Sequence, residues 1–306
     1  MCGETITHKR LWAWLTVAMS APLAHFSGGS WLGLLALEAA CLGVCGLLPR
    51  GLQDVKNSRI VCCVEVVWTA VLLSQLIPAS AGYWPGEKSE IIIPTALLAL
   101  GAYSCGKRPS RVAGVLFGVL VIMYIPVVAA GVKDVELRWL VPKSMAVSVW
   151  LVPVLLLPAT GRFLTGADDG GKWNFGILLF GVALWMLTIG VLSPAVAEQV
   201  QTPFRELSRS LTIGAASRFE SLISVVVTLG WFALASYLIH CGAHFGEGLG
   251  VSKNLSSWLI AIASFLMLLW DVRIKPEIAA GFAAFAWIIL PVLWSKKTWK
   301  KREKSA

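Results

Sequence analysis

Long apolar runs recur along this chain from end to end, with only short connections between them. A helix needs roughly 20 mostly apolar residues to cross the hydrocarbon core of a bilayer. Ten segments approach or meet that length: 11–26, 30–48, 59–77, 91–105, 111–131, 144–161, 173–195, 216–242, 254–270 and 277–295. A bilayer interior offers the backbone no hydrogen bonds, so such runs cross it as helices. The expected fold is an all-α polytopic membrane protein with ten transmembrane helices in a single transmembrane domain spanning 1–306. Composition agrees. Charged residues are 14% of the chain, against about a quarter in soluble domains, and 57% of residues are hydrophobic. The mean hydropathy is +0.74. An ordinary soluble enzyme, a disordered protein and a coiled coil are excluded.

Charge sets the expected orientation. The net charge is +9, but the basic residues lie in short loops and in the tail. That is the pattern of a membrane-oriented chain, not of a nucleic-acid binder. With the N-terminus placed in the cytoplasm, 17 of the 26 Lys and Arg residues fall on the cytoplasmic side and 9 on the outer side. Both termini are therefore expected inside, in a multi-pass protein of the cell membrane. The basic tail, 296–306, would lie against anionic lipid headgroups. The first ten residues, MCGETITHKR, are polar, and no small-residue cleavage site follows the first apolar run, so no removable signal peptide is expected. The longest connection, 196–215, mixes apolar and charged residues after Pro203, the pattern of a short interfacial helix.

Ten spans divide into five and five. With an odd number per half, the second half inserts upside down relative to the first, which is the geometry of two inverted five-helix repeats. The expected repeats are 11–131 and 144–295. In such folds the first helix of each half is often broken at a ligand site. The first span carries Pro22 after Ser20 and Ala21. The sixth carries Pro153 and Pro158. Each Pro removes a backbone donor and clashes with the preceding turn, and this frees backbone groups to face a ligand. An ordinary Pro kink is the competing reading.

Two carboxylates sit inside apolar spans, Glu38 in the second and Glu65 in the third. A mid-membrane carboxylate costs at least ~2.5 kcal/mol on insertion scales. Each is expected to face the bundle interior. There it would act in proton coupling, contact a substrate amine, or hydrogen-bond a neighbouring helix in its protonated form. Ser221, Ser224 and Thr228 form one weakly polar stripe on the eighth span, and Glu65 and Thr69 share a face of the third beside Trp68. Such stripes line a polar cavity or pack helices through small hydroxyls. His240 and His244 have the spacing of a two-His metal face, but no third ligand follows. Asp168–Asp169 is a single pair in a glycine loop. The seven cysteines form no paired metal spacing and read as buried small hydrophobes. No phosphate loop, catalytic triad or dinucleotide fingerprint is present. The chain is expected to be no enzyme and to need no cofactor or metal.

The stretch TPFRELSRSLTIGAASRFESLISVVVTLGWFALASYLI resembles the loop and eighth helix of the spore-germination permease family, the B-type subunits of nutrient germinant receptors, within the amino acid/polyamine/organocation superfamily. The matching residues are Pro203, Leu207, Arg209, Arg218, Phe219 and Glu220. The opening, ITHKRLWAWLTVAMSAPLAHFSGGSWLGLL, is similar in layout to the family's first two helices. Where the family has Gly-rich breaks in its first and sixth helices, this chain has Ser-Ala-Pro and Leu-Val-Pro. The resemblance implies a LeuT-like transporter fold with a site between spans 1, 3, 6 and 8. It implies a subunit that senses a small nutrient such as an amino acid, with germinant receptor A- and C-type subunits as partners, in the spore inner membrane. A proton- or sodium-coupled amino acid transporter is the alternative, and an integral membrane enzyme is the third. The expected ligand site is lined by Ser20, Ala21, Pro22, Trp150, Leu151, Val152 and Pro153, and closed by Trp68, Thr69, Ser224 and Thr228. Glu38 and Glu65 are the coupling candidates. Trp150, Leu151 and Val152 favour a small apolar amino acid.

Overall fold

A computed structural model describes residues 8–26, 30–48, 58–86, 88–105, 109–141, 147–165, 170–200, 202–211 and 219–294. Helices follow one another through all of these stretches, and there is no strand among the described residues. The first half contains α1 (His8–Phe26), α2 (Trp31–Leu47), α3 (Arg59–Leu76), α4 (Ser89–Cys105) and α5 (Pro109–Asp134). A 3-10 segment, Ile77–Tyr83, extends α3. The second half opens with two short helices, α6 (Leu151–Leu155) and α7 (Leu157–Thr165), followed by α8 (Gly170–Leu192). Next come α9 (Pro194–Gln199), α10 (Pro203–Ser210), α11 (Phe219–Gly248), α12 (Lys253–Leu269) and α13 (Pro276–Ala284). A π turn, Phe285–Ile289, continues α13. The basic tail, Arg218 and Asp168–Asp169 lie outside the described residues.

Every one of the ten apolar segments contains helix. Among the described residues, four helices are long and apolar enough to cross a membrane: Arg59–Tyr83, Gly114–Asp134, Ile223–Gly248 and Pro276–Trp294. Shorter apolar helices fill much of the remainder. The surface of α5 carries exposed Val115, Ile122, Ile125 and Val132, and that of α12 carries exposed Leu255, Leu259, Ile262 and Leu269. Apolar faces of this extent mark contact with a nonaqueous partner. The chain is an all-α membrane protein.

Local chemistry sets several helix boundaries. Ser58 Oγ accepts from Val61 N at 3.4 Å and caps α3, and Ser252 does the same for α12 through Leu255 N. Such caps satisfy amides that the first turn leaves free. Pro194, Pro203 and Pro276 open their helices, where a missing N–H costs nothing.

The first and sixth segments differ from expectation in different ways. Residues 20–23 do not interrupt α1, which runs unbroken from His8 to Phe26 with Pro22 inside it. One missing N–H within an otherwise complete ladder has been absorbed. In the sixth segment residues 147–150 are not helical, and the helix begins at Leu151. The break falls at Leu156, between α6 and α7. Pro158 explains its place: without an N–H, Pro158 cannot bond the Val154 carbonyl, and its ring crowds that turn. Leu156 N reaches Val152 O, and Ala159 N closes a tight turn on Leu156 O.

The core is built around α11. It packs along α1 and also against α3, α4 and α12. Trp14, fully buried, donates its indole N–H to Ala233 O at 3.1 Å and ties α1 to α11. Small residues let the backbones approach. A Cβ at Gly230 would lie 2.8 Å from Ala21 Cβ and 3.0 Å from Ser20 Oγ. One at Gly242 would meet Thr69 Cγ2 at 3.1 Å. Packing of this kind is how membrane helices associate without a hydrophobic driving force between them.

Candidate functional site

A cleft of about 980 Å³ opens at one end of the bundle. This is the end where α1, α3 and α12 finish and where α4 and α13 begin. Its lining includes His25, Gln75, Trp84, Trp150 and Thr202, with the 267–276 segment as one wall. Gln75 holds that wall. Its amide donates to Val272 O at 2.7 Å, and its Oε1 accepts from Ile274 N at 3.0 Å. Asp271, at φ 48° in the left-handed region, sits at the bend and pairs with Arg273 at 2.8 Å.

Aromatic rings form the floor. His25 and Phe26, the last two residues of α1, meet edge to face at 4.8 Å. Phe26 stacks on Trp150 at 6.3 Å. Trp231 and Tyr83 lie behind, 6.1 Å and 6.0 Å from the His25 ring. Trp84 closes the side and donates its indole N–H to Thr228 Oγ1 at 2.7 Å. Small-molecule sites commonly combine apolar and aromatic surface with a few placed polar groups, and this cleft offers both.

Beside this cleft α10 forms a strap packed against α8 and α11. Pro203, Phe204, Leu207 and Ser208 are buried while Arg209 and Ser210 are exposed, so the helix is amphipathic as its sequence predicts. Arg205 Nε donates to Glu220 Oε1 at 2.7 Å, and its Nη1 donates to Gly82 O at 2.9 Å. Arg209 reaches the same Glu220 oxygen at 2.8 Å and Glu206 at 2.6 Å. The bonds from Arg209 and then Arg205 hold the Glu220 carboxyl below the usual carboxylate range.

The sequence-derived site residues are divided among four places. Trp150 lines the cleft, and Thr228 and buried Ser224 stand behind Trp84 on α11; Ser221, the outermost of that stripe, is exposed. Ser20 and Ala21 lie in the α1–α11 seam against Gly230, where Ser20 Oγ donates back to Val17 O at 2.7 Å. Pro22 is buried inside α1. Leu151, Val152 and Pro153 belong to α6, which packs on α1, α2 and α13. Trp68 and Thr69 lie with Glu65 between α3, α11 and the last helix. Glu65 accepts from Trp287 Nε1 at 3.0 Å, and its other oxygen has no partner among the described residues. Trp68 packs on Phe282 and Trp287. Trp287 sits in the π turn, a distortion often found where a side chain must be re-aimed.

Glu38 stands apart from these groups. It is fully buried on α2, and neither carboxyl oxygen has a hydrogen-bond partner among the described residues. A Cβ at Gly181 would meet its Oε1 at once, so α8 supplies a glycine where the carboxyl lies.

Sequence reasoning missed His25, Tyr83, Trp84, Trp231 and Gln75, the residues that form or back the cleft. One signal was present: His25 closes the first span three residues after Pro22. A second polar group was also missed. Thr160 Oγ1 lies 2.8 Å from Tyr237 Oη and 3.8 Å from Cys241 Sγ, one turn past the break at Leu156. His240 lies against Trp14 and 3.9 Å from Cys105 Sγ, and His244 lies 3.7 Å from Glu247, so the two imidazoles face different neighbours. Comparison with protein-family models and with curated proteins yields no match.

Proposed function

We propose that this chain is a ten-span membrane protein of permease type that binds a small apolar amino acid at the aromatic-floored cleft. In this reading it is a nutrient-sensing subunit of the spore-germination kind, and it passes the binding event to A- and C-type partner subunits. The two five-helix halves, 11–131 and 144–295, form inverted repeats, both termini are cytoplasmic, and the cleft opens to the outer side. The observation that carries the proposal is the cleft itself. Its volume of about 980 Å³ is at the upper end of the roughly 300–1,000 Å³ typical of small-molecule sites. It also lies at the end that the basic-residue asymmetry assigns to the outside. The strap adds support. Pro203, Leu207, Arg209 and Glu220, which carry the family resemblance, are residues that bury α10 against the bundle and clamp it to α11.

A coupled transporter is the second reading, and Glu38 favours it. A wholly buried carboxyl with two unpartnered oxygens in a membrane helix is where a proton or a cation can be held.

Binding of a panel of amino acids to the purified protein in nanodiscs tests the first reading. Saturable binding of L-alanine, L-valine or L-leucine is expected, lost in Trp150→Ala. The absence of binding by any of them would overturn it. Uptake of the labelled binder into vesicles, driven by an imposed proton gradient and abolished in Glu38→Gln, would favour transport over sensing.

A further inference from the structure

The floor of the cleft leaves three polar ring atoms without partners. His25 Nδ1, Tyr83 Oη and Trp231 Nε1 are buried, and none has a hydrogen-bond partner among the described residues. The three rings form one cluster, since those of Tyr83 and Trp231 lie within 6.1 Å of the His25 ring. Tyr83 is 1% exposed and Trp231 is 0% exposed. His25 alone of the three lines the cleft, and the other two rings pack against it. Buried polar groups in folded proteins are almost always satisfied, and a cluster of exceptions requires a reason.

The chemistry of the three groups narrows what would satisfy them. An indole N–H only donates, a phenol O–H donates readily, and an imidazole donates from one nitrogen. A partner for such a set must accept several hydrogen bonds at once, and a carboxylate does so from two oxygens. Positive charge stands close by. Arg205 bonds the carbonyl of Gly82, the residue before Tyr83. Phe26 and Trp150, stacked beside His25, offer an apolar face to the rest of the ligand.

We infer that the floor of the cleft is a carboxylate subsite, in which Tyr83 Oη–H and Trp231 Nε1–H donate to the ligand's carboxylate. The His25 ring turns aside to admit the carboxylate and donates to it from the flank. The inference rests on the amino acid reading of the cleft and deepens it. Recognition is anchored on the acid group by side chains of α11 and the 3-10 segment, and the α1 backbone takes no part.

The test uses full-length protein in nanodiscs and three probe pairs: L-alanine, L-valine and L-leucine, each with its amide. Losing a hydrogen bond to a charged group weakens binding about tenfold or more. Each binding acid should therefore exceed its amide by at least about tenfold. Tyr83→Phe and Trp231→Phe should each weaken the acid about tenfold and the amide less, because a neutral carbonyl accepts a weaker bond than a carboxylate. The wild-type acid-to-amide comparison needs no variant and so does not depend on the variants folding. Equal binding of acid and amide, or unchanged acid binding in both folded variants while Trp150→Ala still abolishes it, would overturn the subsite and leave the cleft reading standing. Failure of every probe to bind the wild type would overturn both.

Discussion

Gly230→Ala tests whether the middle of the molecule is solid or hollow. Ser20 and Ala21 face Gly230 across the α1–α11 seam. A methyl there would lie 2.8 Å from Ala21 Cβ, 3.0 Å from Ser20 Oγ and 3.3 Å from Ala21 N. Optimal contact between carbon atoms is about 3.5–4.0 Å, so two of these approaches are well inside it. One of the obstructing atoms is backbone and another is a methyl carbon on Cα, so no rotamer change relieves the clash. The helices must separate, and Trp14, which bonds Ala233 one turn away, must move with them. Overpacking a tight core costs typically about 1–3 kcal/mol. The helix preference of Ala over Gly returns about 1 kcal/mol, which leaves a net loss of up to about 2 kcal/mol. Gly43→Ala is the matched control: it lies in α2 with nothing within 4 Å of a new Cβ and should be neutral or stabilising. The assay is unfolding of both variants by SDS titration in mixed micelles, followed by circular dichroism. If Gly230→Ala matches wild type or Gly43→Ala, the seam holds free space, and Ser20 and Ala21 return as lining of a mid-membrane cavity.

Three further outcomes are expected. Trp287→Phe removes the indole donor to the Glu65 carboxyl and should cost about 1–3 kcal/mol for an unsatisfied buried group. The same change made in Glu65→Met should cost much less, and equal losses in a double-mutant cycle would remove the Glu65–Trp287 bond from the account. The Arg205–Glu220–Arg209 clamp has a depressed carboxyl pKa in the fold. Its contribution, about 0.2–1 kcal/mol for pairs this exposed, is therefore complete above the ordinary carboxylate value of 4.5. It is lost as pH falls through the lower folded-state value. The thermal stability gap between wild type and Glu220→Gln should accordingly close on acidification, and a gap that widens would reverse the sign. Reporter fusions at Gly86 and at the C-terminus should report opposite sides of the membrane, and the same side for both would undo the topology.

Much of the fold was legible because it depends on apolar length alone. Each predicted segment contains helix, and Pro203 begins a short amphipathic helix as the 196–215 pattern implies. Broken backbone was less legible. Pro22 and Pro158 look alike as letters, yet α1 absorbs the first while α6 ends just before the second. In α1 a single Pro removes one bond from a helix held along its length by α11. In the sixth segment the helix starts only at Leu151, so Pro153 falls in its first turn at little cost, and Pro158 removes the bond to Val154 that would carry the helix past Leu156. The cleft was legible only through Trp150, which lines it, and Thr228, which accepts from Trp84 at its side. It is assembled from helix ends, a 3-10 extension and the 267–276 wall, elements far apart in sequence that meet only at one end of the bundle. Hydropathy reads spans and carries nothing about how their ends converge. Thr228 and Trp150 were found because one is polar in an apolar run and the other sits beside a Pro. Tyr83 carries no such contrast, and His25 shows it only near the end of the first span.

Arg205 holds two different kinds of partner with one guanidinium: a carbonyl of the first half, Gly82, and a carboxylate of the second, Glu220. These arms answer to different variables. The ion pair is partly open to solvent, and its attraction weakens as salt shortens the Debye length from about 8 Å at physiological ionic strength to about 3 Å at 1 M. The bond to a neutral carbonyl is not weakened in that way. Raising ionic strength therefore loosens the entry of α11 while α10 stays fastened to the 3-10 segment. Salt concentration alone is thus a graded control over how firmly the second half of the molecule is held at the mouth of the cleft, and it requires no mutation to apply.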